Sequence, residues 1–139
     1  MQQFIRAPRT YYCSNTLVDV NQYRAVVRDN ANEMGCKLPT DAGLTTEDEF
    51  VGVTMETKEI ATFNPIGALA VQTDGIARAT AASGIDVDEA VTIDGVTGKF
   101  KAATNVTATS TVICGYARTA ALVDGDMFSL EISRKTVTV

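Results

Sequence analysis

From Phe50 to Ser133 the chain is a succession of short apolar runs cut by turn residues. Three Asp-Gly pairs, Asp74-Gly75, Asp94-Gly95 and Asp124-Gly125, do much of the cutting. Asp-Gly between alternating apolar residues signals a tight β-turn, because glycine takes a positive φ at little steric cost. The runs between these turns are rich in Val, Ile, Thr, Ala and Gly and predict strands. Phe50, Val51, Val53 and Met55 suit a strand with one buried face. In the next run Ile66, Ala68 and Ala70 alternate with Gly67, Leu69 and Val71, so both faces are apolar, as in a strand buried on two sides. Asp74-Gly75 turns it into a strand over residues 76–79. Residues 80–88 read as a loop. EAVTIDGVTGKFKAA predicts a second hairpin around Asp94-Gly95, with Gly98 as a bulge. TSTVICGYARTA reads as a strand through Val112, Ile113 and Tyr116, where Gly115 permits a bend or close packing. After Asp124-Gly125-Asp126, a last strand carries Met127, Phe128, Leu130 and Ile132, with Glu131 pointing away. Residues 134–139 form a polar, β-branched tail. QTDGIARATA and TIDGVTGKFKAAT echo each other faintly, as two related hairpins would.

The first half is less regular. Residues 1–24 show no helical or strand period and are expected to form an extended arm. Its Phe4, Arg6, Arg9, Tyr11 and Tyr12 are the candidate partner contacts, being aromatic and arginine anchors of the kind enriched at interfaces. Two arrangements are open for this segment: packing on its own domain, or reaching a neighbouring subunit. On the second, deleting residues 1–12 would leave the domain folded and weaken assembly. AVVR at 25–28 is a short strand, and Met34 to Leu38 holds a brief one. Pro39, Gly35 and Gly43 break the polar stretch from Asp29 to Glu49. Glu47, Asp48 and Glu49 read as a solvated acidic face.

At 139 residues the chain is most simply one β-rich domain, 25–139, preceded by the arm. A chain of this size can bury about two-thirds of its unfolded surface, so a core needs no disulfide or metal. The composition is 45% hydrophobic but only 6% aromatic, with no tryptophan, which makes the core aliphatic and rich in small residues. A formal charge of −5 and an isoelectric point near 4.6 argue against sequence-independent nucleic-acid binding. No apolar run approaches the ~20 residues of a membrane-spanning helix. The N-terminal MQQFIRAPRTYYCSN has no apolar core of a secretory signal. Cys13, Cys36 and Cys114, odd in number and widely spaced, read as thiols in a reducing compartment.

Histidine is absent from the sequence. That removes the commonest general base and metal ligand, and with them a Ser-His-Asp triad or a His-containing zinc site. GVTGKF at 95–100 ends like a phosphate loop, but Phe100 stands where Ser or Thr should follow the lysine. DVDEAVTIDG at 86–95 begins like a calcium loop, but Ala90 and Val91 replace an oxygen ligand and the turn glycine. Asn105-Val106-Thr107 matches the glycosylation pattern by composition alone. Asp88, Glu89, Asp124 and Asp126 are the carboxylates a glycosidase could use, yet nothing in the sequence brings them together. No catalytic, cofactor-binding or metal-binding residue is assigned, and the chain is not read as an enzyme.

Taken in order, FVGVTMET, GALAVQTDGIARATAASGIDVDEAVTIDGVTGKFKAAT and VICGYARTAALVDGDMFSLEIS resemble the head decoration, or capsid cement, proteins of tailed bacteriophages. The likeness covers about residues 24–133. It rests on the "GV" strand, the turn glycines and a closing segment of Gly115, Ala117, Ala121, Gly125 and Asp126. The chain departs from the family at Asn64-Pro65-Ile66-Gly67, where a glycine-acid pair is usual, and in its longer N-terminal segment. The resemblance implies a mainly β, single-domain β-barrel or β-tulip-like sandwich, often trimeric. It implies a non-enzymatic virion protein, made in the host cytoplasm, that binds the outer surface of the expanded capsid and clamps major capsid protein subunits. It implies no cofactor, nucleic acid or membrane. The alternative is another β-rich virion or surface module: a tail component, or a carbohydrate-binding domain using Tyr11, Tyr12 or Tyr116.

Overall fold

The computed structural model describes residues 9–13, 20–30, 33–40, 44, 47–57, 67–103 and 110–138. Its strands are β1 Arg9–Cys13, β2 Ala25–Arg28, β3 Gly35–Lys37, β4 Phe50–Thr54 and β5 Gly67–Gln72, followed by β6 Ile76–Thr80, β7 Ala90–Asp94, β8 Lys99–Ala102, β9 Ser110–Ala117 and β10 Met127–Thr138. The first five close into a barrel in the order β1-β3-β2-β4-β5, and the rest form a sheet in the order β6-β10-β9-β7-β8. β1 runs parallel to β3 and closes the barrel by antiparallel pairing with β5, from Arg9↔Val71 to Cys13↔Gly67. The expected β-barrel is therefore present.

Two apolar cores divide the molecule. The barrel holds Cys13, Val20, Val26, Cys36, Val51, Leu69 and Val71. The larger core lies within the second sheet and against the barrel wall, and includes Phe50, Val53, Ile85, Val91, Ile93, Phe100, Phe128 and Leu130. β2 and β4 are the wall between them. Side chains alternate along a strand, so Ala25 and Val27 enter the larger core while Val26 enters the barrel. β4 also faces both cores, with Phe50 and Val53 on one side and Val51 on the other, the three-residue step from Phe50 to Val53 coinciding with the register shift against β2 between Val26 and Val27. All five β4 residues are buried, so it is not the one-sided strand its sequence suggested. β5 differs in the opposite sense: Leu69 and Val71 are buried but Ala68 is exposed. A small alanine is too weakly hydrophobic to force burial of its face.

The larger core is organised by three phenylalanines. Phe100 meets Phe50 and Phe128 edge-on, each pair with ring centroids 6.1 Å apart. Such pairs add about 0.5–1.5 kcal/mol each beyond area burial. The β7–β8 hairpin forms where Asp94-Gly95 predicted it, with Asp94 paired to Lys99. Its loop is longer than a two-residue turn: a 3-10 turn at Gly95–Thr97, then Gly98 at φ 75°. Gly98 thus ends the turn rather than forming a strand bulge. Ala81, just beyond the outer strand β6, forms a parallel bridge with Phe100 of the other outer strand, β8.

Residues 134–138 continue β10 rather than forming a tail. The β10–β9 register shifts between Ile132 and Lys135, and pairing resumes as far as Thr138↔Ser110. Arg134 sits in that irregular step. Its guanidinium crosses to the barrel wall, where Nε donates to the Phe50 carbonyl at 2.7 Å and Nη2 donates to the Val51 carbonyl. It also lies 5.2 Å over the Phe50 ring. Burial lowers its pKa below the usual arginine value.

A second junction centres on Thr54, which is fully buried. Its Oγ1 donates to the Asn21 carbonyl at 2.7 Å and accepts the Arg24 N–H at 3.0 Å. Tyr23, at φ 64°, receives the Thr80 N–H on its carbonyl, and Ala25 N–H donates to Gly98 O. The short segment before β2 therefore ties the barrel to the second sheet.

Candidate interaction surface

Within the segment expected to be an arm, Arg9–Cys13 is the strand that closes the barrel. This stretch packs on its own domain, one of the two arrangements expected for it. Phe4 and Arg6 lie outside the described residues. β1 sends Tyr11 and Cys13 toward the barrel interior, where Cys13 is fully buried and Tyr11 packs half-buried against the core. Tyr12 alternates outward and is 47% exposed, and Arg9 is exposed at the start of the strand. Beside Tyr12, the Met34 carbonyl accepts the Tyr12 N–H at 2.8 Å, and the Met34 side chain is also exposed. This corner thus presents Tyr12 and Met34 together, with Arg9 at the far end of β1.

Under the same corner Tyr11, Arg28, Asp29, Asn30 and Glu33 line an open hollow of about 410 Å³. A neighbouring hollow of about 420 Å³ shares Arg28 and Asn30 and adds Lys37, Leu44, Asp48 and Glu49. Both mix cations with carboxylates and open to solvent, unlike the mostly apolar, enclosed pockets that bury a small molecule.

The carboxylates considered for chemistry are engaged in holding loops. Asp88 pairs with Arg118 at 2.7 Å, and Arg118 reaches Glu131 at 2.6 Å. These bonds, to Glu131 first and then Asp88, raise the Arg118 pKa. Asp124 takes Lys99 at 2.8 Å. Asp126 accepts the N–H groups of Leu122 and Val123, and Glu89 accepts that of Asp86. Among the described residues no group of three or more His, Cys, Asp or Glu side chains could hold a metal ion. The three tyrosines considered as a sugar platform are not brought together: Tyr11 and Tyr12 face opposite sides of β1, while Tyr116 is on β9 of the second sheet.

All three cysteines are buried. Burial pushes the Cys114 thiol far above its ordinary pKa, against a smaller opposing effect of Arg134. Arg24 is lowered by desolvation, partly offset by Asp124, and among the described residues its Nε is buried with no hydrogen-bond partner. The inward arginines Arg24 and Arg134 were not foreseen from sequence. The one sequence signal for Arg134 is a basic residue placed directly after an alternating strand.

Neither a protein-family model nor a curated protein sequence matches the chain. Among solved structures it is similar to the head fiber gp8.5 N base of bacteriophage phi29, with a TM-score of 0.61 at 18% identity. The match covers 95% of this chain and 98% of that one. At this identity the likeness is one of fold.

Proposed function

We propose that the protein is a structural component of a tailed-phage virion, made in the host cytoplasm and carried on the outer surface of the head. The observation that carries this reading is the fold shared, across nearly the whole of both chains, with the N base of a phage head fiber. The order of strands and turns from Phe50 to Ser133, with its resemblance to head decoration proteins, supports it from a separate direction. The finer role is that of a capsid-binding protein that bridges major capsid subunits in the expanded shell. A molecule that binds the assembled shell but not free subunits stabilises the shell by mass action. A homotrimer gripping several subunits gains effective concentration, so modest contacts give firm attachment. Of the expected contact residues, the exposed Arg9 and Tyr12, with Phe4 and Arg6 preceding them in the chain, are assigned to the contact with a partner subunit, while Tyr11 is turned into the barrel. No catalytic step is assigned.

The test is co-sedimentation of the purified protein with expanded and unexpanded heads of its own virus, with its mass in solution measured by light scattering. Saturable binding to expanded heads is expected. Failure to associate with expanded heads would remove the proposal.

A further inference from the structure

One end of the second sheet carries side chains that the fold does not use. Leu122 is 82% exposed, Val123 60% and Val87 54%. They stand on two loops that are locked to each other. Ile85 and Ala121 exchange both backbone hydrogen bonds at 2.9 Å. Gly125 N–H donates to the Ala81 carbonyl, and Asp88 N–H donates to the Ala117 carbonyl. The Asp126 carboxylate fixes the turn by accepting the N–H groups of both Leu122 and Val123. The apolar side chains are thus presented on an ordered frame, which lowers the entropy cost of binding.

The same two loops hold most of the molecule's charge imbalance. Residues 82–89 and 118–126 contain Asp86, Asp88, Glu89, Asp124 and Asp126 against the single base Arg118, a formal −4 of the chain's −5. Arg118 and Lys99 pair with Asp88 and Asp124, leaving the tip acidic around its apolar centre. Two copies of this face brought together would oppose like charges, which costs binding energy. A surface of opposite sign would gain from the same arrangement.

We propose, resting on the reading of a capsid-bound protein, that this tip is the face that meets the shell. Its partner is then an apolar depression on the capsid protein framed by lysine or arginine. The occupant is not a second copy of this chain.

Binding to expanded heads is measured by co-sedimentation at ~50 and ~500 mM salt, which straddles the screening range. The wild type is compared with Leu122→Ser/Val123→Ser and with Asp86→Lys. Because these side chains are exposed, both variants should melt as the wild type does. The double variant is expected to bind roughly tenfold or more weakly, the size of an interface anchor's loss. Asp86→Lys should bind more weakly at low salt and lose part of the salt dependence. Wild-type binding with an unchanged double variant overturns the tip assignment and leaves the functional reading standing. No wild-type binding overturns both. A wild-type oligomer that dissociates in the double variant, seen by light scattering, makes the tip a self-association face and overturns the proposal.

Discussion

Gly52→Ala tests the closure of the barrel directly. A Cβ at Gly52 would stand 2.1 Å from the Gln72 carbonyl oxygen, 2.9 Å from its carbon and 3.0 Å from Val71 Cγ1. Ordinary non-bonded contacts between carbon atoms lie at ~3.5–4.0 Å, so the overlap with the oxygen exceeds about 1 Å. The obstacle is backbone, so no rotamer change relieves it. β5 cannot retreat freely either, because it is paired with β4 on one side and with β1 on the other. Overpacking of this kind costs about 1–3 kcal/mol. Pulling β4 from β5 weakens ladder hydrogen bonds worth about 1 kcal/mol each. Together these give a loss of about 3–5 kcal/mol, a large share of the ~5–15 kcal/mol typical of a folded domain. For a chain of this length that lowers Tm by at least ~10 °C, read by circular dichroism. Gly125→Ala is the control: at φ 93° it has nothing within 4 Å, so only backbone strain of about 1 kcal/mol applies. If Gly52→Ala melts within ~2 °C of the wild type, or above Gly125→Ala, then β4 and β5 are not packed as described.

Four further outcomes are expected. Arg134→Met leaves the Phe50 and Val51 carbonyls without their donor and should cost about 2–4 kcal/mol in urea unfolding, with Arg134→Lys recovering less than half because the planar fork is lost. Removing residues 1–13 deletes β1 and should abolish the cooperative melt; a truncated chain that melts cooperatively would show that the barrel closes without it. The folded chain holds the Cys114 proton to higher pH than the unfolded chain, so above about pH 8.5 the unfolded state binds fewer protons and stability falls, by up to ~1.4 kcal/mol per pH unit from this group. Cys114→Ala removes that slope, so the two stability curves should converge between about pH 8.5 and 10.5, and parallel curves would refute the assignment. Asp126→Ala should cost about 1–2 kcal/mol in urea unfolding by releasing the N–H groups of Leu122 and Val123, and an unchanged midpoint would count against that cap.

The elements legible in the sequence are those whose signal is local. AVVR became β2 over the same residues, and Asp74-Gly75 and Asp94-Gly95 each ended one strand and led to the next. β1 was not legible, because RTYYC has no clean alternation and its partners are β3 and β5, more than twenty residues away. The continuation of β10 was hidden by its own irregularity. The step at Ser133–Arg134 breaks the two-residue period, so the residues beyond it looked like a separate tail. Arg134 misled for a related reason, since an arginine after a strand is normally solvent-facing, and only the Phe50 and Val51 carbonyls of a distant strand explain its burial. Sequence chemistry did not separate Tyr11 from Tyr12, since the register of β1 turns one inward and leaves the other exposed, and exposure of Leu122 and Val123 depends on how two loops cross and has no local signature.

The closed barrel bears on what happens when many copies are crowded together. A strand at the margin of an open sheet offers unsatisfied backbone groups that recruit the same strand from a neighbour and seed aggregates. Here β1 and β5 satisfy each other, and the margins of the second sheet are drawn together at Ala81 and Phe100. On the barrel side of the molecule the described strands therefore all have partners on both flanks, and there side chains, not strand edges, decide what crowded neighbours stick to.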